Sequence, residues 1–123
     1  MARAGSTSKY PWGNELGASK ANNNINDTVP VGSYGANNFG VYDTVGNVTE
    51  WVVDCWHENY SGAPSNCSAW LSENEGNCEE RVRRSGNYYD STDVSTRSAS
   101  RYKLDAADRR VNQGFRIART LSQ

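Results

Sequence analysis

One histidine, one methionine, two phenylalanines, three prolines and three cysteines in 123 residues leave several chemistries short of material. A zinc site needs about four nitrogen or sulfur ligands at set spacings. His57 stands alone, and Cys55, Cys67 and Cys78 contain no Cys-x-x-Cys pair. No apolar run approaches the ~20 residues that span a bilayer, so no membrane span is expected. The opening residues, Met1-Ala2-Arg3-Ala4-Gly5, lack an apolar stretch, and no secretory leader is expected there. Charge of one sign is also missing: 13 basic against 14 acidic residues give −1, so no nucleic-acid partner bound through counterion release is expected. No glycine-rich phosphate loop occurs.

What is present is polar and aromatic together. Four Trp and seven Tyr lie among Asn, Ser and Gly, which argues against disorder. No window carries the i, i+3, i+4, i+7 apolar stripe of a long helix. Large rings supply bulk to a small core and keep their polar tips at its edge. The length suits one domain, and neither a repeat nor a linker interrupts it. The three cysteines read either as one disulfide plus a free thiol or as three reduced thiols.

Along the chain, Tyr10-Pro11-Trp12-Gly13-Asn14 and Ala21-Asn22-Asn23-Asn24 are turn-forming runs. Val48 to Trp56 is the clearest strand, with Trp51, Val53 and Cys55 on one face and Glu50, Val52, Asp54 and Trp56 on the other. A long loop is expected from His57 to Glu80, anchored by Trp70-Leu71. Further strands are expected at Arg81–Gly86 and Thr96–Tyr102. Gly114 to Arg119 alternates, with Phe115 and Ile117 read as inward and the arginines as outward.

Four ordered motifs then resemble one family: Tyr10-Pro11-Trp12-Gly13-Asn14-Glu15, Ala36-Asn37-Asn38-Phe39-Gly40-Val41-Tyr42-Asp43, Val45-Gly46-Asn47-Val48-Thr49-Glu50-Trp51 and Gly114-Phe115-Arg116-Ile117-Ala118-Arg119. Together they are similar to the formylglycine-generating enzymes, or sulfatase-modifying factors. The resemblance implies an α+β, irregular, loop-rich variant of the C-type-lectin fold with short twisted antiparallel sheets and little helix. It covers residues 1–123 as a single domain and implies that the family's N-terminal part is lacking. Apolar surface exposed by that lack would favour self-association.

In the family, oxidation of a substrate cysteine uses a late pair of copper-binding cysteines. Soft thiolates suit Cu(I). The corresponding stretch, Arg84 to Ser95, has no cysteine, and none follows Cys78; relatives that use non-haem iron need several histidines. Neither copper nor iron is expected, and the reading favours a non-catalytic domain. The alternatives are a degenerate accessory subunit and an active oxidase. A Ser/His/Asp site around His57, with Asp54 nearby, lacks a nucleophile motif, and a plain loop histidine is the favoured reading.

The same resemblance implies calcium held around Gly46, Asn47, Val48 and Glu50, an oxygen-rich set, with Thr49 departing from the usual Trp. Asn22 and Asn23 are candidates for a second calcium site. It also implies a Cys55–Cys78 disulfide, with Cys67 the odd thiol. Where family members carry Asn, this chain has Tyr89, Asp90, Ser91, Asp93, Ser100, Tyr102, Leu104 and Asp105. That mixture is similar to the ligand face of retroelement-diversified variable proteins. From the residue types alone, Tyr with Ser or Asp offers rigid contact area and adaptable hydrogen bonds. Cations add anchors. The expected ligand face, for a protein or small molecule, is therefore Tyr88, Tyr89, Asp90, Ser91, Asp93, Ser100, Tyr102, Lys103, Asp105, Arg109 and Arg110; the plainer alternative is a set of solvated strand ends.

Overall fold

The computed structural model describes residues 1–90 and 92–119. Its elements are β1 (Thr49–Trp56), β2 (Asn77–Arg84), a single helical turn α1 (Asp93–Thr96), β3 (Tyr102–Asp105) and β4 (Gln113–Phe115). The four strands make one mixed sheet of order β3-β2-β1-β4. β1 and β3 run antiparallel to β2, while β4 lies parallel to β1. The remaining described chain is turn and irregular structure, as its spacing of Asn and Gly leads one to expect.

The apolar core is small. Tyr10, Ala21 and Val45 are buried together, with Trp12 and Leu16 packed against them. Tyr10 is fully buried and its hydroxyl donates to Asp93 Oδ1 at 2.6 Å, which ties the first turns to α1. Polar hubs carry much of the remaining organisation. Asn47 Oδ1 accepts from Asn22 Nδ2 (3.3 Å) and the Val29 amide (3.1 Å), and Asn47 Nδ2 donates to the Val29 carbonyl. Gly46 beside it sits at φ +77°, where an added Cβ would fall 2.2 Å from the Asn22 carbonyl oxygen. Only glycine fits there.

The strand expected at 48–56 is present. The alternation expected within it breaks, because register shifts flank Cys55: Cys55 is buried while Val53 is 67% exposed. The long loop ends four residues sooner than expected, since β2 begins at Asn77. Thr96–Tyr102 is not a strand. Thr92 and Ser95 hydroxyls bond each other and Thr96 Oγ1 donates to the Thr92 carbonyl, so local side-chain bonds close α1 over Asp93–Thr96; turn follows it, and pairing resumes only at Tyr102.

At the C-terminal motif the sides of Phe115, Arg116 and Ile117 are reversed, while Arg119 is exposed as expected. Phe115 lies opposite Trp51 and is 76% exposed, and Ile117 is 87% exposed. Gly114 lies opposite Glu50, so Arg116, two residues on, points to the Glu50 side. There its guanidinium forms a two-armed pair with Glu50 and donates to the carbonyls of Tyr42 and Asp43. Four acceptor atoms gathered in one place draw an arginine in more strongly than two apolar side chains claim that side.

The 57–76 loop is pinned at its ends. Cys55 and Cys78 form a disulfide, Cα–Cα 4.5 Å, and Cys67 is free and exposed. His57 is buried against Trp70, ring centroids 3.6 Å apart. Its Nδ1 lies 3.1 Å from the Cys55 carbonyl and its Nε2 2.7 Å from that of Glu73. The ring sits between two backbone carbonyls, and no serine or aspartate partners its nitrogens. His57 packs the loop against the end of β1.

Candidate functional site, a cationic and aromatic sheet face

The pairing register places four residues directly across the sheet: Phe115 on β4, Trp51 on β1, Arg83 on β2 and Tyr102 on β3. Paired residues share a face, so the row reads ring, ring, guanidinium, ring. The opposite face is covered: Val82 is buried there, and Arg84 reaches the Ser98 carbonyl and the Tyr60 hydroxyl. On the open face the Arg83 guanidinium carbon lies 5.8 Å from the Tyr102 ring centroid, within cation–π range. Arg83 Nε is buried without a hydrogen-bond partner, and among the described residues no carboxylate lies in ion-pair contact with Arg83. Burial first, and Arg110 second, weaken its hold on its proton, with Asp90 and Tyr102 acting the other way.

Beside this row runs a groove of about 620 Å³. Trp51, Val53 and Phe115 form its apolar part, and Arg81, Arg109 and Arg110 its cationic part. Arg110 is the one of these paired with a carboxylate, that of Asp108 at 3.0 Å. Arg81 donates to the Val53 carbonyl and to Cys55 Sγ, and Arg109 to the carbonyls of residues 106–108. Gln113 also lines the groove, with both amide atoms buried and unpartnered.

The expected ligand residues divide. Tyr102 stands against Arg83, Arg109 and Arg110 line the adjoining groove, Asp90 accepts the backbone and side-chain amides of Asn87, and Tyr89 is 65% exposed with its ring 5.3 Å from that of Tyr88. Tyr88 and Ser100 are buried, and Ser100 Oγ donates to the Val94 carbonyl. Asp105 accepts the Ala107 amide in a turn. Lys103 lies on the covered face, bridging Glu80 (3.1 Å) and Glu58 (3.7 Å). Ser91 lies outside the described residues. Arg83, Arg81, Trp51 and Phe115 are the residues that sequence reasoning missed. The alternation Arg81-Val82-Arg83 was the signal that could have found two of them.

Asp93 is structural. Lys9 Nζ donates to it at 2.6 Å and the Tyr10 hydroxyl binds its other oxygen; these bonds, Lys9 first, hold its carboxyl below the usual carboxylate range. A depressed folded-state value stabilises the fold at pH above the unfolded value and loses that contribution as pH falls through the folded one. Thermal stability is therefore expected to drop below about pH 4, and Asp93→Asn is expected to flatten that limb. Parallel acid limbs for the two proteins in a pH series of melts would contradict this role.

The oxygens of the expected calcium ligands are engaged within the fold. The carbonyls of Gly46 and Val48 accept the Ser85 hydroxyl, Asn47 Oδ1 already has two donors, and both Glu50 oxygens engage Arg116. Asn22 Oδ1 is buried and unpartnered. Among the described residues no three His, Cys, Asp or Glu side chains converge as a metal site, and no helix is long and apolar enough to cross a membrane.

Known proteins bear on this geometry. Residues 1–121 match the family described as "Sulfatase-modifying factor enzyme 1-like domain". Over 112 residues the chain is 35% identical to the serine/threonine-protein kinase Pkn1 of Chlamydia trachomatis, covering 90% of this chain and 18% of that protein. The structure of PvdO from Pseudomonas aeruginosa superposes with a TM-score of 0.82 at 42% identity, over 93% of this chain and 46% of that one. Treponema denticola variable protein 1 shares the fold, with a TM-score of 0.71 at 23% identity, over 93% and 41% of the two chains. The chain thus spans less than half the length of each of these three. With its motifs in order, its sheet superposed on that of PvdO and its residues matched almost end to end, the chain belongs to the sulfatase-modifying factor, or formylglycine-generating enzyme-like, family.

Proposed function

We propose that this chain is a non-catalytic binding domain on a lectin-like scaffold, and that it takes its ligand on the open sheet face around Arg83. The observation that carries this reading is the row Phe115–Trp51–Arg83–Tyr102, with further arginines along the adjoining groove. Stacked rings and planar guanidinium groups concentrate binding energy in few residues. The groove volume falls within the ~300–1,000 Å³ common for small-molecule sites. The cysteine-free stretch Arg84 to Ser95 supports the non-catalytic part, because neither hydroxyl nor carboxylate replaces a Cu(I)–thiolate pair. Tyr89 and Tyr102 stand as its outer contacts.

A thermal-shift panel of organic acids, sugars, amino acids and short peptides tests the reading. Stabilising compounds are expected, and Tyr102→Ala with Tyr89→Ala is expected to weaken them at least tenfold while the unliganded melting temperature changes little. A panel without hits, or hits indifferent to both substitutions, would contradict it. So would aldehyde formation on a cysteine peptide when the chain is supplied with copper.

A further inference from the structure

Resting on that reading, we infer that the ligand class is a small organic anion, a carboxylate attached to a flat apolar body. Two independent features of the face converge on this chemistry. The first is charge without an internal partner. Arg81, Arg83 and Arg109 make no ion pair among the described residues, and Arg110 shares one aspartate, in a chain whose net charge is −1. Four arginines thus stand on or beside one sheet face, with Asp108 the carboxylate lining the groove.

Arginine keeps its proton throughout the ordinary pH range, so Arg83 cannot relieve its burial by becoming neutral. A half-buried cation whose Nε is buried without a partner bears part of the cost of desolvation. An incoming carboxylate relieves it, and a planar guanidinium matches a carboxylate with two parallel N–H donors. Sulfate or phosphate offers charge as well, but neither uses the rest of the site.

The second feature is that apolar remainder. Trp51 and Phe115 continue the same row away from Arg83, and Val53 adds an exposed aliphatic wall. A ring lying on Trp51 and Phe115 would place a short acid arm toward Arg83. A hydrophilic sugar would leave these rings wet, and a purely apolar guest would leave the cations unsatisfied.

Calorimetric titration of the full chain with 3-phenylpropionate, its neutral amide and inorganic phosphate tests the inference. The acid is expected to bind at least tenfold more tightly than either comparator. Arg83→Met, with Arg110→Gln as a second variant should the first fail to fold, is expected to reduce the preference for acid over amide below threefold. Equal binding of acid and amide, a preference for phosphate, or a preference that survives both substitutions would overturn it. Panel hits lost on Tyr102→Ala alongside equal acid and amide binding would sink the anion inference and leave the binding function standing; an empty panel together with no phenylpropionate binding would sink both.

Discussion

Arg116→Met is expected to lower the melting temperature by about 10–15 °C, an effect out of proportion to the length of β4. Arg116 and Glu50 are each mostly buried, with side chains about a quarter and a fifth exposed. The pairing raises the arginine's pKa, with the Glu50 bond the largest cause. Removing one partner of such a pair leaves the other charge buried and costs about 3–5 kcal/mol. The carbonyls of Tyr42 and Asp43 lose a donor as well. For a domain whose total stability is about 5–15 kcal/mol, that is a large share. The double variant Glu50→Leu with Arg116→Met removes both charges, and replacing a whole buried pair by apolar side chains is often close to neutral. It is therefore expected to recover much of the loss. A single variant melting within a degree or two of the parent would show that the clamp is idle.

Reduction of the Cys55–Cys78 bond is the second large effect. The bond spans 23 residues of sequence, and closing a loop of that size removes unfolded-state entropy worth about 3 kcal/mol. That loop holds no strand before Asn77 and depends on Trp70 and His57 for its apolar contacts. Cys55→Ser with Cys78→Ser is expected to melt about 8–12 °C lower and to become insensitive to dithiothreitol. Cys67→Ser, at an exposed position, is expected to melt like the parent. A dithiothreitol-insensitive parent would mean that the two thiols do not pair.

The fold was readable where local chemistry decides it. Strand β1, the Asn- and Gly-directed turns and the small polar-aromatic core all follow from residue type and spacing. The reading failed where distant atoms decide. Nothing within Gly114–Arg119 tells that Glu50 and two carbonyls wait on one side of it; given those acceptors, the arginine turns in and Phe115 turns out. Thr96–Tyr102 failed for a nearer reason, since hydroxyls at Thr92, Ser95 and Thr96 close a helical turn that apolar patterning does not register.

The site shows the same division. Of the aromatic and charged residues singled out in the last third, Tyr102 stands against Arg83, and Arg109 and Arg110 line the adjoining groove. Arg83 itself became visible only through the register that aligns it with Trp51, Phe115 and Tyr102. Tyr88, Asp93 and Ser100 resembled contact residues in sequence but are consumed by burial or by bonds to Lys9, Tyr10 and Val94. Residue type proposes a surface, and pairing decides which side chains stand on it.

Backbone amide chemical shifts recorded while 3-phenylpropionate is added test the binding face most directly. Shifts concentrated at Trp51, Arg83, Tyr102, Arg110 and Phe115, and quiet at residues 57–76, are the predicted result. Shifts concentrated in that loop, or none at saturating ligand, would contradict it.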